Sequence, residues 1–113
     1  MERPFDLSEG SPVILYLQNP KEKVWGLLLS LGTAGIVVRG LDLAVFEHWM
    51  RQEARRDESL IMPTTLFYPM HRVERLERDE TCGPLPGYVD RFALEVGRSV
   101  RQVLGLDPDD DGD

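Results

Sequence analysis

The sequence predicts a mainly β domain: a small five-stranded barrel with an inserted helix and a C-terminal helix. Residues 13–38 form three β-prone segments separated by turn residues, and residues 64–77 add two more. Two stretches with a helical period, about residues 43–58 and 88–104, interrupt and follow these strands. A chain of 113 residues has the ordinary length of one domain.

The first three predicted strands form a meander after an irregular lead-in at residues 1–11. Residues 13–18 alternate, so Val13 and every second residue after it would face one side, and the other side is not polar either. The dipeptide Asn19-Pro20 predicts a turn into a long second strand at residues 23–31. Gly26 lies inside that strand, and a glycine there indicates the sharp bend that a small barrel needs.

The inserted helix is predicted from a change of period after the third strand, residues 36–39. Asp42 is a suitable N-cap residue. Phe46, Trp49 and Met50 follow at spacings that place them on one face. Because this apolar face is short, we expect the helix to plug or flank an open end of the sheet.

The last two strands are predicted on either side of Pro69. Residues 64–68 are strongly β-prone, and Pro63 before them marks an edge or a bend because proline donates no ladder hydrogen bond. Residues 71–77 carry charges of alternating sign, which is typical of an exposed edge strand. A linker rich in glycine and proline follows at residues 79–87.

The predicted C-terminal helix carries a continuous apolar stripe and ends at Gly105. The residues of the stripe are Val89, Phe92, Ala93, Val96, Val100, Val103 and Leu104. This stripe must be buried against either the barrel or another copy of the chain. Residues 106–113 are predicted to be an acidic disordered tail.

The charge of the chain argues against generic nucleic-acid binding. The net charge is −7, and the five aspartates after Leu106 account for most of it, leaving −2 for residues 1–106. A nucleic-acid binder is expected to be basic. We also expect no secretory signal and no membrane span, and a reducing cytoplasm is the expected location because Cys82 has no cysteine to pair with.

The order of these segments resembles the Sm-like small β-barrel, the family of Sm, LSm and Hfq proteins, over residues 12–78. The resemblance rests on the alternation from Val13 to Asn19, on Gly26 and on the segment at residues 35–40. The insertion at residues 41–61 falls where the family varies most. Residues 69–76 resemble the Hfq segment Tyr-Lys-His-Ala-Ile-Ser-Thr-Val. An SH3-like barrel describes the same strands equally well.

The resemblance implies two functional features. The family pairs strand four of one copy with strand five of the next to form a closed ring. It also binds RNA through a Lys-His pair, and here His71 matches the histidine whereas Met70 stands in place of the lysine. On this basis the RNA-binding candidates are Tyr68, His71 and Arg72.

No motif in the sequence predicts catalysis, a cofactor or a metal site. His48 and His71 with one cysteine lack the spacing of a metal site, and nothing pairs Cys82 with a base. The aromatic residues Trp25, Trp49, Phe67 and Tyr68 could line a binding groove, although aromatic residues at such spacings usually belong to a core.

We therefore expect a non-enzymatic interaction or assembly module without a cofactor. Its predicted surfaces are the inserted helix, the edge strands and the stripe of the C-terminal helix. The predicted interface residues are Phe46, Trp49, Met50 and Tyr68, with Trp49 as the main anchor because tryptophan is enriched at interface hot spots. The expected partner is another copy of the chain or a different protein. The alternative is an RNA-binding regulatory protein similar to Hfq.

Overall fold

Five antiparallel strands and three short α-helices make up the fold in this computed structural model, which describes residues 7–106. The strands are β1 Pro12–Leu17, β2 Glu22–Leu31, β3 Gly35–Asp42, β4 Thr64–Pro69 and β5 Val73–Arg78. The helices are α1 Phe46–Arg55, α2 Tyr88–Val96 and α3 Val100–Val103. The predicted mainly β class with five strands and added helices is confirmed.

The strands form one sheet in the order β4-β3-β2-β1-β5, with β4 and β5 at its two edges. A flat sheet of this kind would place the edge strands about 19 Å apart. Only the 3₁₀ turn Met70–Arg72 joins β4 to β5, and four residue steps span at most about 14 Å. The sheet must therefore curve strongly to bring these strand ends together.

The predicted closure of the sheet into a barrel is not observed. Within residues 7–106, β4 pairs with β3 and β5 pairs with β1, but no ladder joins β4 to β5. Pro69 lies at the corner where the two edges approach each other, and it has no N–H to give to such a ladder. In the described part of the chain, both edges of the curved sheet are consequently open.

The bend predicted at Gly26 is built by a pair of glycines. Gly26 lies directly opposite Gly40 in the β2–β3 ladder. A Cβ atom on Gly26 would lie 3.0 Å from the Gly40 Cα atom and 2.9 Å from the Arg39 carbonyl oxygen. The strands can approach this closely only because neither residue carries a side chain.

The inner face of the curved sheet carries an aliphatic core. Its partly buried margin is supplied by both edge strands and the 3₁₀ turn between them. The buried members are Val13, Leu15, Leu17, Val24, Leu28, Ile36 and Val38, and the margin includes Leu66, Tyr68, Met70, Val73 and Leu76. The alternation in residues 13–18 placed Val13, Leu15 and Leu17 correctly on this face.

The outer face is covered by a layer of helices with an aromatic core. Trp25 and Leu27 of β2 meet α1 and α2 there, and Trp49 packs against Phe92 with ring centroids 4.6 Å apart. Helix α1 therefore packs on the outer face of the sheet, with α2 beside it, and neither plugs nor flanks an open end. The apolar face of α1 is buried there because the outer face also carries apolar side chains, those of Ile14, Trp25 and Leu41.

Both helical regions differ from the predicted bounds. The inserted helix begins with the 3₁₀ turn Leu43–Val45, and α1 ends where Arg56 adopts a left-handed conformation. The C-terminal region is two helices, because Gly97 has a φ of 83° and ends α2. Ser99 then starts α3 with a capping box to Gln102. The apolar residues keep the same helical spacing on both sides of this break. For that reason the sequence predicts one continuous helix where the structure has two.

Residues 79–87 fasten the helical layer to the sheet. Asp79 is buried, and its carboxylate accepts hydrogen bonds from Trp25 Nε1 at 2.8 Å and from the backbone N–H groups of Tyr88 and Val89, each at 2.7 Å. Gly87, the N-cap residue of α2, offers no side chain, so Asp79 supplies the cap from a distance. Residues 107–113, most of the predicted tail, lie outside the described residues.

Candidate assembly surface

The three helix residues predicted as interface anchors lie inside the chain. Phe46 and Trp49 are 0% exposed and Met50 is 2% exposed. Their neighbours are Trp25 on the sheet and Phe92 on α2, so the apolar stripe of the C-terminal region covers the face of α1. These side chains have almost no surface left for a partner, and their role in this chain is to hold the helical layer on the sheet.

Tyr68, the fourth predicted interface residue, lies at the margin of the inner core. It is half-buried in β4, and the guanidinium of Arg72 lies 5.9 Å from its ring centroid. Burial, followed by the nearby carboxylate of Glu22, raises the pKa of Tyr68 above its ordinary value. The residue therefore connects the inner core to the corner between the two edge strands.

The three predicted RNA-binding residues do come together at this corner. Tyr68 lies near the end of β4, just before the 3₁₀ turn that contains His71 and Arg72. His71 therefore belongs to this turn and does not begin β5 as predicted. His71 is exposed. Met70, at the position of the family's lysine, packs against the inner core.

Arg72 has a structural role at the same corner. Its Nε donates to the Gln18 carbonyl oxygen at 3.0 Å, and Nη2 donates to that of Pro20 at 2.7 Å. Nη2 also lies 3.6 Å from Glu22 Oε2. The guanidinium thus fastens the turn before β5 to the turn between β1 and β2, which leaves little of it to contact a phosphate.

A groove of about 480 Å³ lies near the same end of β1, between Tyr16 and the turn after β3. Its charged residues carry both signs, and Lys21 and Glu74 form an exposed ion pair at 3.9 Å. The lining residues are Tyr16, Leu17, Lys21, Glu22, Lys23, Asp42, Leu43, Ala44 and Glu74. Such a mixed lining selects neither an anion nor a cation.

Tyr16 beside this groove is held from both sides. Arg75 lies 4.1 Å from the ring centroid, and the Tyr16 hydroxyl donates to Glu77 Oε1 at 2.9 Å. Hydrogen bonding to Tyr16, with the charges of Glu77 and Glu74, raises the pKa of Arg75. Within residues 7–106, no group of three His, Cys, Asp or Glu side chains could hold a metal ion.

The edge strand β4 presents a different surface, which is uncharged. Residues 64–69 read Thr-Thr-Leu-Phe-Tyr-Pro, and Phe67 is 56% exposed. The side chains of Leu66 and Tyr68 reach the inner core, so those of Thr65 and Phe67 point to the outer face. The described helices leave both of these residues exposed there. An exposed aromatic residue on an uncharged edge strand is a feature of sites that pair with another chain.

The ring of Phe67 is held against the sheet by the absence of a side chain at Gly35. A Cβ atom on Gly35 would lie 2.7 Å from Phe67 Cε1, so the aromatic ring occupies that space. Gly35 is therefore buried under the ring. Phe67 consequently presents an ordered apolar surface on β3 and β4.

Some backbone N–H and C=O groups of β4 point away from β3, in the plane of the sheet. We call these the lateral groups of the strand. Met70 N donates to the Ala34 carbonyl oxygen at 3.0 Å, just beyond the Gly35–Pro69 pair. Hydrogen-bonded and non-hydrogen-bonded pairs alternate in an antiparallel ladder. Tyr68 and Leu66 therefore bond to β3, whereas the N–H and C=O groups of Thr65 and Phe67 point laterally, where the described part of the chain places no strand.

Prolines limit this lateral row at both ends. Pro69 belongs to the same set of lateral positions but has no N–H, and Pro63 immediately precedes the strand. Only Thr65 and Phe67 can therefore donate laterally from β4. The exposed edge is short enough to limit pairing to one small segment.

Gln52 of α1 fixes the chain as it enters β4. This buried side chain accepts hydrogen bonds from the backbone N–H groups of Leu60 and Ile61 at 2.9 and 3.0 Å, and it donates to the Ile61 carbonyl oxygen at 3.0 Å. Gln52 and Asp79 are not predicted from the sequence, because both bind groups that are distant in the chain. Phe67 is predicted only as an aromatic residue of a groove or core.

No helix in the described part of the chain is long and apolar enough to cross a membrane. Comparison of the chain with protein-family models, with characterised proteins and with solved structures finds no match.

Proposed function

We propose that this protein is a non-enzymatic assembly module that associates with itself through the edge strand β4. The observation that carries the proposal is the combination on β4 of lateral backbone groups at Thr65 and Phe67 with the exposed ring of Phe67. An unpaired edge is a template for another strand, and proteins that must stay monomeric usually protect it with charges. This strand has none.

The fold that supports this role is best interpreted as an Sm-like or SH3-like small barrel that remains open between β4 and β5. The meander of β1, β2 and β3, the bend at the Gly26–Gly40 pair and the single 3₁₀ turn between the edge strands support that interpretation. In such an architecture, another copy can extend the sheet at an open edge.

The proposal places the interface on the sheet and not on the helices. The helical apolar faces cover each other, so they no longer require a partner. Of the four predicted interface residues, only Tyr68 belongs to β4, where its side chain contributes to the margin of the inner core.

Size-exclusion chromatography with light scattering over a dilution series tests the proposal. We expect a mass above that of one chain at high concentration, falling on dilution. Phe67→Lys should raise the dissociation constant about tenfold or more, because it puts a charge on the pairing edge.

Leu94→Lys is the matched control, because Leu94 is likewise an exposed apolar residue, 81% exposed, that lies on α2 and not on β4. We expect it to leave the association unchanged within about twofold. A wild-type chain that stays monomeric at every concentration would refute the proposal.

RNA binding is the alternative, and the exposure of His71 beside Tyr68 and Arg72 is the observation that favours it. Filter binding to uridine-rich and adenine-rich RNA across a salt series separates the two functions. Phosphate contacts would give an affinity that falls steeply with salt and is weakened by His71→Ala. For an assembly module we expect no binding even at low salt.

A further inference from the structure

We infer that β4 pairs antiparallel with β4 of a second copy, about a two-fold axis that passes through Leu66. This inference rests on the proposed assembly role and specifies its partner, its symmetry and its register. The product is a dimer with one continuous sheet across both copies. It differs from a ring, in which β4 would pair with β5 of the next copy.

The alternation of side chains between the two faces of β4 restricts where such an axis can lie. Directly opposite residues of antiparallel strands lie on the same face of the sheet. A two-fold axis between two copies of β4 must therefore pass opposite one residue and not between two residues. Within β4, an axis at Thr65, Leu66, Phe67 or Tyr68 leaves at least one strand residue on each side.

The lateral backbone groups favour Leu66. With the axis there, Thr65 of each copy lies opposite Phe67 of the other, and each of these pairs exchanges two hydrogen bonds through groups that already point laterally. An axis at Phe67 would place Pro69 opposite Thr65, an axis at Tyr68 would place it opposite Phe67, and an axis at Thr65 would place Pro63 opposite Phe67. In each of these registers a proline would face a lateral C=O group of Thr65 or Phe67 that it cannot serve, whereas the axis at Leu66 places Pro63 opposite Pro69, at the ends of the paired segment.

The side chains fit the same register. On the outer face, Thr65 would meet the ring of Phe67 from the other copy, a favourable pair of a β-branched and an aromatic residue. On the inner face, Leu66 would meet its own symmetry mate beside the aliphatic core. No charged side chains oppose each other, because residues 64–69 carry none.

Pairing with β5 is less well matched. That strand has the sequence Val-Glu-Arg-Leu-Glu-Arg, with Glu74 and Arg75 exposed. Arg75 lies on the outer face beside Tyr16, so pairing would place its charge beside the uncharged Thr65 or Phe67, where it gains no opposite charge. The two edges differ in charge, and β4 is complementary to itself.

Disulfide trapping tests the axis directly. Leu66 would form a non-hydrogen-bonded pair with its symmetry mate, with Cα atoms about 4.5 Å apart, which is within the range that a disulfide can bridge. We expect Leu66→Cys in a Cys82→Ser background to form a covalent dimer readily under mild oxidation. Thr64→Cys in the same background lies on the same face but about 14 Å from its mate, and should not cross-link.

A second pair of variants covers the case in which Leu66→Cys unfolds the chain, monitored by near-UV circular dichroism. Thr65→Lys with Phe67→Lys should raise the dissociation constant at least about tenfold, because like charges would lie opposite each other. Thr65→Lys with Phe67→Glu places opposite charges in both symmetry-related pairs. This variant should associate at least about tenfold more tightly than the first.

The outcomes separate this inference from the proposed function. An assembly with the mass of a ring, or a dimer without the Leu66→Cys cross-link in a folded variant, overturns the inference and leaves self-association intact. Equal association of the two charge variants also overturns it. A chain that is monomeric at all concentrations overturns both.

Discussion

The two edges of this sheet are built in opposite ways. Strand β5 carries glutamate and arginine in alternation, whereas β4 carries no charge and exposes Phe67. Both strands contribute to the margin of the inner core, so their difference does not arise from burial. The comparison indicates that β5 is protected against pairing and that β4 is left able to pair.

The two edges also differ in how they are fastened to the helical layer. Asp79 directly follows β5 and receives one indole and two backbone hydrogen bonds. Gln52 of α1 fixes Leu60 and Ile61 ahead of β4. The anchor of β5 is a buried carboxylate that links the sheet to a helix N-terminus, whereas the anchor of β4 is a neutral amide that orders a loop.

The largest expected effect is on the free energy of unfolding, when Asp79 or Gln52 is replaced by alanine. Asp79→Ala should lower the free energy of unfolding by about 2–4 kcal/mol, since it leaves the Trp25 indole N–H and the first N–H groups of α2 without an acceptor. Gln52→Ala should cost less, about 1–2 kcal/mol, because neutral hydrogen bonds are weaker. Urea denaturation followed by tryptophan fluorescence measures both.

Asp79→Asn is the control for charge, because it keeps an acceptor for one or two of these donors. We expect it to fall between the wild-type chain and Asp79→Ala in stability. If Asp79→Ala cost no more than an ordinary surface substitution, about 0.5 kcal/mol, the structural role given to Asp79 would be wrong.

The next effect concerns the charges that protect β5. Glu74→Thr with Arg75→Thr makes the two exposed positions of this edge resemble β4. We expect the wild-type assembly to give way to larger species, with the high-mass fraction rising about tenfold in sedimentation velocity experiments. A sedimentation profile identical to that of the wild-type chain would mean that charge does not decide which edge pairs.

The smallest effect is a dependence on alkaline pH at Tyr68. Because burial raises its pKa in the folded chain, the neutral phenol stabilises the fold fully below its unfolded pKa of about 10. As the pH rises above that value, the unfolded chain ionises first and stability falls. Tyr68→Phe should reduce this fall in alkaline urea titrations, and an unchanged fall would show that the phenol does not contribute.

Local patterns in the sequence predicted the strands well. The alternation of Val13, Leu15 and Leu17 and the turn at Asn19-Pro20 identify β1 and its connection, and Gly26 marks the bend. The break at Gly97 was missed because the apolar stripe keeps its helical phase on both sides. The capping box of Ser99 and Gln102 is nevertheless a local signal of that break.

The candidate site was harder to predict, because it depends on which apolar surfaces meet. A short stripe on α1 could face another chain or another helix, and only the packing of Phe92 against Trp49 decides between these. Phe67 belongs to a strand in which two neighbours, Leu66 and Tyr68, face the core. Its exposure follows from the alternation of β4, which turns it to the outer face, and from the helices within residues 7–106, which leave it 56% exposed there.

Amide hydrogen exchange of β4 at two protein concentrations tests the central claim most directly. Leu66 and Tyr68 donate to β3 and should be protected at both concentrations, whereas Thr65 and Phe67 should exchange rapidly when the protein is dilute and slowly when it is concentrated. Fast exchange of Thr65 and Phe67 at every concentration would contradict the account, since it would mean that no second strand binds this edge.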